Sequence, residues 1–510
     1  MFNFRETYRI SDEYTRIAVV ALCCLTLGGI IASIFLSGGL VLAMLAAIAV
    51  AWISFFKPTW ALAGLLWYLP FEPFLLKWVS DDIYVYAKYG SEMLVYLLFV
   101  AVLWRMITGS IPWRSSPIDL PFFLLVAFAC ASAIINLESP WIAILGTRQI
   151  IRFILLFFVT YHLRPSAVWI KRVCIGLAII LAFQTVLGAA QAAVGGALDS
   201  FLLPSESRTF GEIQVGAGTV QFWDPGQRVF GTLGRYDQLG TWIAFFLLLL
   251  VAYFYEAPEK KIRWWMIAGC LACLGTLILT FSRSSWFGFL LGALFIAVWA
   301  KRDKRVMLGI GVSSGLLAIY LLFSGLVVSQ LIDTGGQTLA ERFFETFSYE
   351  RWLGEYAGLG RVYWVYQTVA HVVPASPVFG FGPGSYGGGV VTALHNTKVY
   401  DALGLPFGVY GTEGYVDNNW MSLWGELGTV GLGFYLWLYV SLFFACLAVW
   451  RQSKEKNVRA LALGVSAVMI AVALNAFLAT MLEVRTLAPY LWVFTALVLV
   501  LGESPSEERS

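Results

Sequence analysis

Charged residues are scarce in this chain, and their scarcity excludes a soluble globular protein. Only 13% of its 510 residues are charged, whereas 59% are hydrophobic, and the mean hydropathy is +0.76. A soluble domain of this length could not bury so much apolar surface. The net charge of +3 gives no indication of nucleic-acid binding. Its 21 Trp, 23 Tyr and 38 Phe are in line with aromatic residues at bilayer interfaces. The composition therefore predicts a membrane protein.

Signatures of cofactors and processing are also missing. All seven cysteines fall in apolar runs, so we expect Cys270 and Cys273 to be packing residues rather than a redox or metal pair. The stretch Gly380–Gly389 is rich in glycine but lacks the Lys-Ser/Thr ending of a P-loop. A flexible turn over a cavity is at least as good an interpretation of it as a binding role. We expect no cleavable signal peptide, because Met1–Arg16 is polar and the first apolar run continues into another.

Long apolar runs are present throughout the chain. A membrane-spanning helix needs roughly 20 such residues, and the sequence predicts an all-α polytopic protein with about fourteen transmembrane helices. Pro70 and Pro73 predict that one of them is kinked or re-entrant. The candidates are 17–36, 39–56, 59–76, 91–107, 119–136, 141–161, 173–194, 237–255, 264–281, 285–300, 306–328, 421–449, 459–481 and 486–502.

Lysine and arginine in the short loops predict the orientation. With the N-terminus in the cytoplasm, each basic cluster falls on the cytoplasmic side, as the positive-inside rule requires. The predicted regions are N-terminal transmembrane helices (1–194), outer loop 1 (195–236), central transmembrane helices (237–328), a large outer loop with an amphipathic helix (329–420), C-terminal transmembrane helices (421–502) and a cytoplasmic tail (503–510).

Arginines on the predicted outer side run against this charge trend. Arg283 lies in a tight turn between two apolar runs, where a charge is costly and usually functional. An anionic ligand at the outer face would explain the set, although any single member could be a solvated surface residue. The outer loops contain Arg208, Arg228, Arg235, Arg342, Arg351 and Arg361.

Two further arginine motifs predict anion contacts. Arg228 and Arg235 flank a glycine-containing segment, Arg228–Gly240, that leads into a helix start, and helix N-termini are natural anion sites. Arg148 and Arg152 are four residues apart within a predicted span and share one helical face. They are expected to face a polar cavity or an anion; pairing with Glu72 or Glu138, or snorkelling, is the alternative.

The second outer loop has two more features. Leu339–Leu353 is amphipathic at helical spacing, with Leu339, Phe343, Phe344 and Phe347 on one side, and it predicts a helix on the outer leaflet. Asp417 stands at the start of the next span. It would either cap that helix or accept a proton from a nucleophile held beside it.

Four segments together resemble the O-antigen ligase and polymerase family of bacterial membrane proteins. The resemblance covers roughly residues 220–450 and depends on the combination of segments. In order they are Arg228–Gly240, Thr280–Trp286, Gly360-Arg361 through Pro377–Tyr386, and Asp417-Asn418 through Glu426-Leu-Gly428.

The resemblance implies a metal-independent glycosyltransferase without cofactors, acting on polyprenyl-diphosphate-linked glycans at the outer face of the bacterial inner membrane. Arg228 and Arg283 would bind the diphosphate leaving group, because guanidinium groups bind phosphate oxygens bidentately. The ligase branch has a histidine where this chain has Asp417, with Asn418 following. Asp417 would be the catalytic base, and His395 is the rival match.

The sequence therefore predicts a polysaccharide polymerase. It would transfer a growing glycan from its polyprenyl diphosphate carrier to a lipid-linked repeat unit on the periplasmic face. Further substrate contacts are expected from Arg148, Arg152, Arg235, Arg361, His395 and Asn418. The partners would be lipid-linked donor and acceptor, membrane lipid and a chain-length co-polymerase, with no nucleic acid. Alternatives are an O-antigen ligase or protein O-oligosaccharyltransferase, and a flippase or other transporter, which is disfavoured because no internal repeat is visible.

Overall fold

The computed structural model describes residues 38–204, 208–210, 213–215, 226–256, 260–332, 337–408 and 416–503, and within them the protein is almost entirely helical. The first predicted span, 17–36, lies outside these residues. One short antiparallel ribbon joins β1 (Arg208–Phe210) to β2 (Ile213–Val215), with Arg208 opposite Val215.

The first half of the described chain contains α1 (Gly38–Phe56), α2 (Pro58–Tyr68), α3 (Glu72–Leu76), α4 (Asp81–Ile107), α5 (Asp119–Ile135), α6 (Pro140–Ile151), α7 (Ile154–Leu163), α8 (Ala167–Val194), α9 (Gly196–Leu202) and α10 (Tyr236–Glu256).

The second half contains α11 (Lys260–Leu279), α12 (Arg283–Leu294), a π-helical turn (Phe295–Ala300), α13 (Lys304–Val328), α14 (Leu339–Phe344), a 3₁₀ turn (Glu345–Phe347), α15 (Tyr349–Ala357), α16 (Arg361–Gln367), a π-helical turn (Thr368–Val372), α17 (Val373–Ala375), α18 (Gly388–Ala393), α19 (Lys398–Leu403), α20 (Asn419–Gln452), α21 (Lys456–Asn475) and α22 (Ala488–Glu503).

Fewer helices than expected are long and apolar enough to cross a membrane. In the described part of the chain there are seven, or eight if the bent pair α6 and α7 forms one span. Four shorter apolar helices accompany them, so the expected count of about fourteen is not confirmed. The seven are Ile83–Ile107, Ala167–Val194, Tyr236–Glu256, Arg283–Ala300, Lys304–Val328, Asn419–Gln452 and Lys456–Asn475.

Two of the predicted spans are divided into separate helices, and a third, 421–449, is kinked at Gly428 (φ 64°). The candidate 59–76 forms α2 and α3, because Pro70 has no amide hydrogen to continue the helix and Pro73 lies in the first turn of the next one. The candidate 141–161 forms α6 and α7, which meet at an angle of 54° next to Arg152.

The predicted amphipathic helix 339–353 is wrong as a single element. It divides into α14 and α15, because the Ser348 hydroxyl accepts a hydrogen bond from the Arg351 amide and starts a new helix. The same hydroxyl donates to the carbonyl of Ser329, just after α13 (2.9 Å). The segment between α13 and α20 nevertheless carries short helices, as expected.

Several helix termini meet at one end of the molecule, which we call the loop end. The amide of Asn419, at the start of α20, donates to the carbonyl of Ala476 just after α21 (2.9 Å). Thr486, in the turn before α22, donates to Gln238 in the first turn of α10 (3.1 Å). The turns between these helices therefore gather where the short helices of 337–408 attach.

The opposite ends of the same helices meet at what we call the basic end. Glu256, the last residue of α10, pairs with Lys301 (2.6 Å) and with Arg459 in α21 (3.1 Å). At the end of α22, Glu503 pairs with Arg164 (2.7 Å). These cations belong to the loops that the charge pattern predicts to share one side, and the fold collects them.

Candidate active site

Arg283 is the first residue of α12 and lies at the loop end. Its guanidinium pairs with the Glu345 carboxylate (3.0 Å), and that carboxylate also pairs with Arg342 (3.1 Å) and Arg351 (2.9 Å). The Glu345 side chain is fully buried. A single buried carboxylate therefore organises three arginines, because a buried charge is stable only when it is paired.

Further bonds connect this group to Asp417. Arg351 pairs with Glu355, and Glu355 accepts a hydrogen bond from the Arg361 amide (3.2 Å). The Arg361 guanidinium pairs with the Asp417 carboxylate (3.0 Å). We call this network the loop cluster. Its members are Arg283, Arg342, Glu345, Arg351, Glu355, Arg361 and Asp417.

The described members of the loop cluster are four guanidinium groups and three carboxylates. The cluster is open to solvent at one side. Arg361 and Asp417 keep 36% and 28% of their side-chain surface exposed, whereas Glu345 keeps none. Guanidinium groups with an accessible face can bind phosphate oxygens.

The arginine beside Asp417 is Arg361, and neither Arg228 nor Arg283 is its ion-pair partner in the described contacts. The alternative role of Asp417 as a helix cap is wrong. Asn418 caps α20, since its side-chain oxygen accepts from the Met421 amide (3.1 Å). This bond and its complete burial place Asn418 in the structure of the helix start rather than on an open binding surface. Asp417 is thereby left facing Arg361.

Arg228 and Arg235 lie beside the turn that carries Arg283. The Val229 amide donates to the carbonyl of Leu279 (3.3 Å), which ties this segment to the end of α11. Arg228 lies over the ring of Tyr236, with its guanidinium carbon 4.5 Å from the ring centroid. Arg235 forms a two-point pair with Asp237 (3.0 and 3.1 Å).

Small residues allow α10 and α12 to pack closely at this end. The hydroxyls of Thr241 and Ser285 lie 3.1 Å apart. A Cβ added to Gly240 would lie 2.6 Å from the Ser285 oxygen, so only glycine fits there. The segments Arg228–Gly240 and Thr280–Trp286 therefore pack as one unit. This unit places Arg228 and Arg283 at the loop end.

The segments Pro377–Tyr386 and Asp417–Gly428 form a second interlocked unit. The amides of Phe381 and Gly382 donate to the carbonyls of Gly425 and Glu426 (3.0 and 2.9 Å). The Gly387 amide donates to the Glu426 carboxylate (3.0 Å). The glycine-rich stretch is therefore a packed support for the start of α20, and the expected flexible turn over a cavity is wrong.

Arg148 and Arg152 belong to a separate network between helices. Both pair with Glu92 in α4, each at 2.8 Å, and Arg485 approaches Glu92 (3.5 Å) and Glu72 (3.6 Å). We call these five residues the helix cluster. The expected pairing partners were Glu72 or Glu138, but the acid that neutralises Arg148 and Arg152 is Glu92. Glu138 pairs instead with Lys398 (3.2 Å).

Glu483 joins the helix cluster to the start of α20. Its backbone carbonyl accepts from Arg152 (2.8 Å), and its carboxylate accepts from the Asn419 amide group (3.0 Å). Burial raises the pKa of Glu483 to about 7, and the charge of Arg152 opposes that rise. Asn419, the residue after the cap, is thus hydrogen-bonded to the Glu483 carboxyl group, whose pKa is about 7.

His395, the rival candidate for the catalytic base, lies after α18 and has no described contact with Asp417. It follows α18 with a left-handed backbone (φ 47°), and its ring lies against Phe407 with 5.0 Å between centroids. It is not part of the loop cluster.

Of Cys270 and Cys273, the second is buried, and its sulfur lies 3.5 Å from the Thr185 hydroxyl, within the packing between α8 and α11.

Residues 268–436 match the family model described as O-antigen ligase. This stretch is about a third of the chain and is similar to that family. It contains Arg283, Arg361, His395, Asp417 and Asn418, whereas the remaining candidate residues precede it. The resemblance to the O-antigen ligase and polymerase family is therefore confirmed over this stretch. No curated protein matches the chain.

Two carboxylates of the loop cluster have a spacing that could have been recognised in the sequence. Glu345 and Glu355 were not among the candidate residues, although Arg342 precedes Glu345 by three positions and Arg351 precedes Glu355 by four. This spacing places each pair on one face of a short helix. The repeated arginine-to-glutamate spacing is the signal that would have identified them.

Proposed function

We propose that the protein is a polysaccharide polymerase that acts at the loop end. It transfers a glycan from a polyprenyl diphosphate carrier to a lipid-linked repeat unit. The observation that carries the proposal is the continuous network from Arg283 to Asp417, which combines several guanidinium groups with an accessible carboxylate. The match to the O-antigen ligase family model supports this class of reaction.

The chemistry follows from the two halves of the network. An acceptor hydroxyl attacks the anomeric carbon of the donor, the bond from that carbon to the diphosphate oxygen breaks, and the diphosphate leaves with the electron pair. The hydroxyl proton passes to Asp417. Arginine groups near Arg283 stabilise the negative charge that develops on the diphosphate, and such stabilisation is usually the largest contribution to the rate. Arg361 orients the Asp417 carboxylate.

Asp417→Asn tests the role of the carboxylate. It keeps the size of the side chain and leaves the Asn418 cap intact, so the protein should fold normally. We expect polymerisation of purified lipid-linked repeat units to fall by roughly 100-fold or more, because proton acceptance contributes on that order. The product is sized by gel electrophoresis.

Asp401→Asn is the matched control, since Asp401 is an exposed carboxylate of the same segment that bonds only to Thr397 in the described contacts (2.7 Å). It should retain full activity. Near-normal rate and length with Asp417→Asn would make Asp417 a structural residue and His395 the next candidate.

Ligation is the second candidate reaction, because the matched family is described as O-antigen ligase. The same assay separates the two. A polymerase gives a ladder of lengthening products from lipid-linked repeat units alone, whereas a ligase gives a single transfer that requires lipid A or a protein acceptor. Absence of any glycan transfer, with movement of lipid-linked glycan between leaflets, would favour a transporter instead.

We further propose that the loop end faces the periplasm of a bacterial inner membrane and that both termini are cytoplasmic. Glu350→Cys places a thiol at the loop end, and Arg305→Cys places one at the basic end; both positions are exposed. In right-side-out vesicles a membrane-impermeant maleimide should label the first and spare the second. The reverse pattern would overturn the orientation.

A further inference from the structure

A cavity of about 830 Å³ opens at the basic end, far from the loop cluster. The π-helical turn Phe295–Ala300, the start of α13 and the end of α20 form its walls. Its lining combines three cations with two tryptophans and smaller apolar groups. The lining residues are Val298, Trp299, Ala300, Arg302, Lys304, Met307, Trp450 and Arg451.

The cations in this cavity are not neutralised by the acids nearby. No Asp or Glu is among the lining residues, and Arg302, Lys304 and Arg451 form no ion pair with a residue that the structure describes. Arg451 lies over the ring of Trp299, 5.6 Å from its centroid. Three positive charges therefore converge on a concave surface that the described carboxylates leave uncompensated.

Two described carboxylates at the basic end pair with other groups. Glu256 accepts from Lys301, from the Trp450 indole (2.6 Å) and from Arg459. Asp303 accepts from the Tyr255 hydroxyl (2.9 Å) and from the Arg305 amide (3.0 Å) at the start of α13. The three cations of the cavity therefore remain available to an anion from outside the protein.

The apolar part of the cavity distinguishes a lipid from a soluble anion. Val298, Trp299 and Met307 line it beside the cations. The adjoining helix α13 is apolar, and its most hydrophobic stretch has no buried residues in the structure. A phospholipid would place its phosphate among the cations and its acyl chains along α13. Basic pockets between membrane helices bind anionic head groups in this way, and tryptophan prefers the same interfacial depth.

We propose that this cavity, which we call the basic pocket, binds the head group of an anionic phospholipid from the leaflet that contacts the basic end. The lipid would bridge α13 to α20 and the π-helical turn. This site is independent of the glycan transfer proposed above, and its failure would leave that function untouched.

Native mass spectrometry of the purified full-length protein tests the proposal. Phosphatidylglycerol and phosphatidylcholine of identical acyl chains are titrated separately onto the delipidated protein. Phosphatidylglycerol should bind selectively, and the double variant Arg302→Gln/Arg451→Gln should weaken that binding by roughly tenfold or more, since each basic side chain at a membrane surface contributes measurably to anionic-lipid affinity.

The control variant Arg305→Gln/Lys454→Gln removes two exposed cations from the same end but outside the lining of the pocket. It should bind phosphatidylglycerol like the unmodified protein. Equal binding of the two lipids, equal losses in the two variants, or displacement of the lipid by an excess of inorganic phosphate would each overturn the proposal. Thermal unfolding of each variant checks that the fold is intact.

Discussion

The loop cluster and the helix cluster are built from the same residue types, but their charges are arranged in opposite ways. In the helix cluster Glu92 lies between arginines and keeps only 2% of its side-chain surface exposed. In the loop cluster the buried carboxylate is Glu345, and the network continues outward to Asp417, which is accessible. The helix cluster reaches the surface through a guanidinium, Arg148, which is 27% exposed, whereas the loop cluster reaches it through the Asp417 carboxylate.

This difference shows why an arginine within an apolar segment does not by itself identify a substrate site. Arg148 and Arg152 are occupied by Glu92 next to the bend between α6 and α7, where they hold two broken half-helices against α4. Arg283 is equally paired, but its network ends at an accessible carboxylate, Asp417, beside Arg361. The chemical type of the exposed terminal group, a carboxylate in one network and a guanidinium in the other, separates the two roles.

Removing the central acid of the helix cluster should have the largest effect. Glu92→Gln leaves Arg152, which is only 12% exposed, without its counter-charge, and breaking a largely buried pair in this way costs about 3–5 kcal/mol. We expect a strong loss of thermal stability and of folded protein in detergent, measured by unfolding and by size-exclusion chromatography.

Glu138→Gln is the control for that change. Glu138 is equally buried, with 2% of its side chain exposed, but its partner Lys398 is 59% exposed and can be solvated alone. It should unfold close to the unmodified protein. If Glu92→Gln were no less stable than Glu138→Gln, the helix cluster would not be a structural element, and its arginines would return as candidates for substrate binding.

Changes in the loop cluster should instead affect the reaction. Arg283→Ala should reduce polymer formation by roughly 100-fold, as expected when one donor to a developing negative charge is removed. Arg283→Lys should recover little of it, since a point charge does not reproduce the planar fork of guanidinium. The rate is measured with purified lipid-linked repeat units.

Both Arg283 variants should remain folded, because Arg342 and Arg351 still neutralise Glu345. Arg305→Ala, at the basic end, should keep the full rate. Full activity of Arg283→Ala would remove this residue from the site and leave the loop cluster without its proposed diphosphate contact.

The packed glycine support should give a smaller effect that is confined to stability. Gly380 has a left-handed backbone (φ 66°), and a Cβ there would lie 2.5 Å from the Glu426 backbone. Gly380→Ala should therefore destabilise the protein by about 1–3 kcal/mol. Gly389→Ala is the control, since its Cβ would meet nothing closer than 3.7 Å. Equal unfolding temperatures would mean that the support adapts without cost.

The hydrophobic pattern predicted the helices and where most of them lie, because burial in an apolar environment requires long apolar runs. It could not predict where they break. Pro70 was a visible signal for one interruption, whereas no proline marks the bend beside Arg152. Likewise, Ser348 divides a helix whose hydrophobic spacing is continuous, because its hydroxyl accepts a hydrogen bond from the Arg351 amide and starts a new helix.

The arginines of the candidate site were predicted from the sequence, whereas the ion pairs and hydrogen bonds that connect them were not. Arg283, Arg361 and Asp417 were identified individually, but the bonds that join them pass through Glu345 and Glu355. Single residues can be singled out by charge in an unexpected place. Ion pairs between residues distant in the chain follow from tertiary packing, which a single sequence does not contain.

The positions of the helix-cluster residues along the chain determine when each of their contacts can form during synthesis. Arg152 and Glu92 are 60 residues apart and can pair while the chain is still being made, so that two costly charges enter the bilayer as one neutral unit. The carbonyl of Glu483 that completes the shell around Arg152 is 331 residues further along. At roughly 5–20 residues per second it arrives tens of seconds later. Until then Arg152 lacks this hydrogen bond, and the turn between α21 and α22 supplies it.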